Sequence, residues 1–162
     1  MKNESFLKNY AIKYLSKYNS SKKNLKRILK NKIFRLKNLN DIEKKMLFRE
    51  INLIANDLEK KKLINDENFT INKIQNYISI GKSKNFILSN LIKKGIEKKT
   101  IDEKMFIIEN EDPDWEMKSA EKFLKKKKLG KFSIKKNKNF DKDIAKMARA
   151  GFSYTIIKKL LK

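Results

Sequence analysis

Apolar residues recur at every third or fourth position along almost the whole chain, the spacing that gathers them on one face of an α-helix. Phe6, Leu7, Tyr10, Ala11, Tyr14, Leu15 and Tyr18 form one such stripe; Ile42, Met46, Leu47, Ile51, Ile54, Ala55 and Leu58 form another. The alternation of a half-buried strand is sustained nowhere. The one proline, Pro113, follows Asp112 as a first helical residue follows an N-cap. The pattern therefore predicts an all-α chain, with helices at 4–18, 22–31, 41–61, 66–79, 84–94, 97–109, 114–128, 139–150 and 153–161. The aromatic residues on these stripes are expected in the core.

With only four glycines in 162 residues, each one marks something. Gly95 precedes Ile96 as Gly151 precedes Phe152, and anchoring on the two glycines aligns ILSNLIKKGI (87–96) with DIAKMARAGF (143–152). A glycine-free copy, NLKRILKNKI (24–33), puts Lys32 at the glycine position, Leu25 with Leu88 and Ile144, and Ile28 with Leu91 and Met147. A glycine just past a helix takes the left-handed conformation that ends it, and the next apolar residue packs back on the last turn. Gly95, Ile96, Gly151 and Phe152 are thus structural candidates, as is Trp115 on its own helix. Ser21, Ser83 and Ser153 stand where N-caps are needed. The spacing points to three tandem three-helix units, helix-turn-helix-like, at 1–64, 65–112 and 113–162 of a single domain.

Chemistry is constrained by what is missing. The chain has no cysteine and no histidine, which removes disulfides, thiol nucleophiles, imidazole bases and most transition-metal sites. GKS (81–83) lacks the second glycine and the preceding strand of a phosphate-binding loop; Gly81 reads as a helix end and Ser83 as a helix start. Glu109, Glu111, Asp112, Asp114 and Glu116 surround Pro113 and could bind Mg²⁺, but acids also favour a helix start. Neither a catalytic residue nor a cofactor or metal site is expected, and the chain reads as no enzyme. No run approaches the 18 apolar residues of a membrane span, nor does the N-terminus carry a signal-peptide core, so a soluble cytoplasmic protein is expected.

Net charge is +23, from 42 basic and 19 acidic residues. It is segregated: +12 over 1–64, zero over 65–112 and +11 over 113–162. Such segregation points to polyanion binding. The densest basic stretch, KFLKKKKLGKFSIKKNKNF (122–140), has nine lysines and no acid; beyond its helical start it reads as a loop poor in apolar residues. A second basic surface comes from Lys22, Lys23, Lys26, Arg27, Lys30 and Lys32. The candidate contacts are Lys22, Lys23, Lys26, Arg27 and Lys30; Lys82, Lys84, Lys93 and Lys94; Lys125, Lys126, Lys127 and Lys128; and Arg149. Lysines bind phosphate without reading sequence.

In order along the chain, five stretches resemble the bacterial RecX family of regulatory proteins, modulators of the recombinase RecA. They are YAIKYLSKYNSSKKNLKRIL (10–29), LEKKKLINDENF (58–69), IGKSKNFILSNLIKKGI (80–96), DWEMKSAEKFLKKK (114–127) and RAGFSYTIIKKLL (149–161). Ala150, Asn90 and Asn68 depart from the family's usual residues, and the connection at 33–45 is longer. The resemblance implies an elongated, curved helical array, a monomer that docks in the groove of the RecA–DNA filament. There it would limit filament growth or stability, inhibiting ATP hydrolysis, strand exchange and the co-protease activity behind the SOS response. RecA and the DNA backbone are the partners implied. The alternative is a general DNA-binding or nucleoid protein acting directly on duplex or single-stranded DNA.

Overall fold

The computed structural model describes residues 2–134 and 140–161; the last lysines of the basic stretch, Lys135, Lys136 and Lys138, lie outside them. The described residues form helices and their connections, without a strand. The helices are α1 (Lys2–Leu15), α2 (Lys22–Phe34), α3 (Asp41–Lys60), α4 (Asp66–Ser79), α5 (Lys84–Lys93), α6 (Lys98–Glu111), α7 (Trp115–Lys127), α8 (Phe140–Arg149) and α9 (Tyr154–Leu161), with a short 3₁₀ turn at Gly130–Phe132. They pack as two compact units, residues 1–69 with 94–96, and residues 70–93 with 97–162.

The first unit is built on α1, α2 and α3. Leu7, Ala11, Leu25, Leu29, Ile33, Leu47, Ile51, Ile54 and Leu58 close its core, with Ile64 beyond α3. Asn40 and Glu43 form a reciprocal capping box that starts α3, each side chain holding the other's backbone N–H at 2.9 Å. Asp57 receives Lys8 at 2.8 Å and Lys61 at 3.1 Å, clipping α1 to α3. Hydrogen bonds from Lys8, then Lys61, hold the Asp57 carboxyl below its ordinary pKa.

In the second unit, Ala120, Leu124, Leu129, Met147, Phe152, Ile157 and Leu161 bury together, and the Phe123 and Phe152 rings meet at 5.4 Å. Trp115 is buried at the start of α7. That helix starts one residue later than expected, and Pro113 lies in the turn before it rather than in its first turn. Asp112 ends α6, and its carboxylate accepts from the Asp114 N–H at 3.2 Å as the chain leads into α7. The chain after α7 is less loop-like than its composition implies. Lys128 takes the left-handed conformation, Leu129 donates back to the Leu124 carbonyl, and both Leu129 and Gly130 are buried.

Two expectations about the helices fail, each for a local reason. Ile42 and Met46 are 74% and 59% exposed. At about 100° per residue they lie on the far side of α3 from Leu47, Ile51, Ile54, Ala55 and Leu58, so they never shared one stripe. Lys32 is no helix end: α2 continues to Phe34, with Ile33 buried and the Lys32 ammonium 5.1 Å from the centre of the Tyr10 ring. The glycine-free copy is also out of register by one residue. The capping serines Ser21 and Ser83 match Leu25 with Ile87 and Leu29 with Leu91, all fully buried, and bring Ile33 opposite Gly95.

Both glycine steps sit in joints of the same construction. In the first unit the Ser21 hydroxyl accepts from the Asn24 N–H and donates to the carbonyl of Lys94, the residue before Gly95, at 2.7 Å. The neighbouring Lys22 N–H donates to Asp66 at 2.8 Å. In the second unit the Ser83 hydroxyl accepts from Phe86 and donates to the carbonyl of Ala150, the residue before Gly151, at 2.7 Å. There the Lys84 N–H donates to Glu116 at 2.9 Å. Both glycines have positive φ, +81° and +89°. A Cβ would fall 2.5 Å from the Lys23 Cβ at Gly95 and 2.7 Å from the Ser83 hydroxyl at Gly151. Glycine is needed twice over: for the left-handed turn and for the close approach.

Candidate nucleic-acid and protein interface

The sequence-derived contact residues divide by what already engages them. Lys22 and Lys84 are committed internally. Their ammonium groups pair with Glu59 and Glu109 at 2.6 Å, while their backbone N–H groups serve the two joints. Lys94 lends its carbonyl to Ser21, and Lys82 lends its own to Ser119 while its ammonium lies 4.4 Å from the Phe86 ring centre. Phe86 in turn meets Tyr77 edge-on at 5.4 Å, and burial raises the Tyr77 hydroxyl pKa.

The rest are presented outward. On α2, Lys23, Arg27 and Lys30 are exposed and Lys26 is half-buried, opposite the buried Leu25, Leu29 and Ile33. Arg27 leans on Asn24 at 2.8 Å. At the end of α7, Lys125, Lys126, Lys127 and Lys128 are all exposed; at the end of α5, Lys93 is too. Arg149, also exposed, folds its Nε–H back to the Ala145 carbonyl at 3.2 Å. The α2 group lies in the first unit and the α7 group in the second, each on a helix whose other face is core.

Three of the five acids around Pro113 are engaged within the fold. Glu109 pairs with Lys84, Asp112 with Lys118 at 2.7 Å, and Glu116 accepts from the start of α5 rather than from its own helix. Among the described residues, no group of three His, Cys, Asp or Glu side chains is placed to hold a metal ion. No helix among them is long and apolar enough to cross a membrane.

Asp143 was not among the expected residues. It is 8% exposed and accepts from the Gly130 N–H at 2.9 Å, tying α8 to the chain that leaves the four α7 lysines. The glycine-anchored alignment puts it opposite the buried Ile87. A charged residue in a buried apolar column is the signal that could have found it.

No family model matches the chain. It is 28% identical over 160 residues to "Regulatory protein RecX" of Myxococcus xanthus strain DK1622, an alignment that takes in 97% of this chain and 84% of that protein. The crystal structure of RecX from Lactobacillus salivarius has the same fold: TM-score 0.68 at 22% identity, over 98% of this chain and 94% of that one. The chain is similar to RecX proteins over nearly its whole length. Both alignments to RecX proteins span nearly the whole chain, the joints and the basic helices included.

Proposed function

We propose that this chain is a regulator of RecA that binds the groove of the RecA–DNA filament and limits its growth or stability. ATP hydrolysis, strand exchange and SOS co-protease activity are thereby inhibited. The observation that carries this reading is the near full-length similarity to a protein named Regulatory protein RecX. Two further features support it. The basic groups on α2 and at the end of α7 are outward-facing and separated in the sequence by a stretch of zero net charge. Two joints of the same design, 62 residues apart at their serines and 56 at their glycines, fit three tandem units at 1–64, 65–112 and 113–162.

In this reading Lys23, Lys26, Arg27 and Lys30, Lys125 to Lys128, and Arg149 supply phosphate or protein contacts. The two groups bridge successive positions along the filament. Lysine contacts of this kind give affinity and salt dependence rather than sequence preference. The protein acts as a monomer in the cytoplasm and performs no chemistry of its own.

The test is a titration of the purified chain into a reaction of the cognate RecA, single-stranded DNA and ATP, following hydrolysis and filament length. Inhibition at well below one chain per RecA protomer is the expected result. Undiminished hydrolysis together with tight binding to bare DNA would overturn the proposal in favour of a general DNA-binding protein.

A further inference from the structure

The outer face of α9 has no part in holding the fold together. Ile157 and Leu161 are buried and Ile156 and Leu160 half-buried, so the inner face anchors the helix fully. Outside stand Tyr154, Thr155, Lys158 and Lys159, all exposed, with Tyr154 at 65%. The Lys158 ammonium lies 5.6 Å from the centre of the Tyr154 ring. Neither lysine has a carboxylate partner among the described residues, and no acidic residue follows Asp143 in the sequence.

Other aromatic–lysine pairs among the described residues are differently placed. Phe86, under Lys82, is half-buried and packed against Tyr77. Phe132, beside Lys131, is half-buried too, and Lys131 is paired with Glu121 at 3.1 Å. Lys32, shared between the Phe6 and Tyr10 rings, is itself half-buried. Tyr154, unlike these, presents an exposed ring beside exposed and unpaired positive charge. A large aromatic surface left in water, flanked by lysine and free of acids, is complementary to a group that is itself flat, apolar and attached to a negative chain.

We infer that α9 is a stacking platform for single-stranded nucleic acid, with an unpaired base on the Tyr154 ring and the flanking phosphates at Lys158 and Lys159. Duplex DNA cannot use this face in the same way, because its bases are already stacked on one another. The inference deepens the DNA-binding part of the proposed function and rests on it.

The experiment compares the full chain with Tyr154→Ala, Tyr154→Phe and Lys158→Ala, binding to an oligo-dT and to a duplex of equal length over a range of salt. Tyr154→Ala is expected to weaken oligo-dT binding roughly 5- to 150-fold, the range that base–aromatic stacking supplies, and to leave duplex binding and the salt slope unchanged. Tyr154→Phe keeps the ring and should bind as the parent does. Lys158→Ala should lower the slope of log K against log salt by about 0.7. An oligonucleotide carrying 5-iodouracil should photocrosslink to Tyr154. Parent binding with Tyr154→Ala undiminished, or equally weakened for both nucleic acids, overturns this inference alone. A parent chain that binds neither nucleic acid overturns the DNA-binding part of the proposed function as well. Far-ultraviolet circular dichroism on each variant excludes unfolding as the cause of any loss.

Discussion

Gly151 occupies a place where a single methyl group would do two kinds of damage. It would force a left-handed backbone on a residue with a Cβ, and it would press on the hydroxyl that holds the Ala150 carbonyl. Gly151→Ala should therefore destabilise the second unit by about 1–3 kcal/mol, read as a lower urea midpoint at unchanged slope. Ser83→Ala should cost about 1–2 kcal/mol by removing the cap and leaving that carbonyl without its donor. Because removing the hydroxyl also relieves the clash, the double variant should be more stable than the sum of the two losses predicts. Lys62, by contrast, takes a left-handed turn at φ 57° with an ordinary side chain, and Lys62→Gly should raise stability by up to about 1 kcal/mol. Of these effects, the glycines' role as helix stops was legible in the sequence, from position and the apolar residue that follows. Their second role was not, since it depends on Lys23 and Ser83, far away in sequence. Nor did the absence of glycine reveal that Lys62 and Lys128 would make the same turn.

Helices were legible where an apolar stripe fixes a face, and less so where the stripe ends. α1 stops at Leu15, so Tyr18 falls outside it and is 57% exposed although its spacing continues the pattern. Burial in α3 follows the helical wheel and not the run of apolar letters, which is why Ile42 and Met46 face water. Elements are also tied by charge, and that leaves a mark on pH dependence. The Asp57 clip lowers a carboxylate pKa in the folded state. Its contribution is fully present above the ordinary aspartate value, about 3.9, and is lost as pH falls through the lowered folded value. The difference in unfolding midpoint between the parent and Asp57→Asn should be constant at neutral pH and shrink on acidification below that value. At the other end, Asp143→Asn keeps the size of the group that holds Gly130 but weakens a charge-assisted bond, while Asp143→Ala leaves that N–H buried and unpaired. The alanine variant should be the less stable of the two in thermal melts.

On the scale of the whole molecule, the charge is large enough to govern association. Among the described residues, most of the basic groups behind the +12 of residues 1–64 and the +11 of residues 113–162 face outward. Reversing Lys26 and Lys30, or Lys125 to Lys128, should weaken filament binding and flatten its salt dependence, by about 0.7–0.9 in slope for each phosphate contact removed. If binding and its salt dependence survived both reversals, bridging by these two groups would be excluded. The sequence made the positions of these lysines clear but not their employment: Lys22 and Lys84 look no different from Lys23 and Lys26 until Glu59 and Glu109 are seen beside them.

The two joints also have a sense of direction. In each, a serine hydroxyl and the next backbone amide reach forward along the chain, toward a carbonyl and a carboxylate that come later. The later side yields room by dispensing with a methyl group. At the matching place in α2 stands Ile33, fully buried in the core of its own unit, where the two joints have glycine. Gly95 and Gly151 each leave open the space that a bulky side chain would fill, so the cost of closing a joint falls on the later helix end alone.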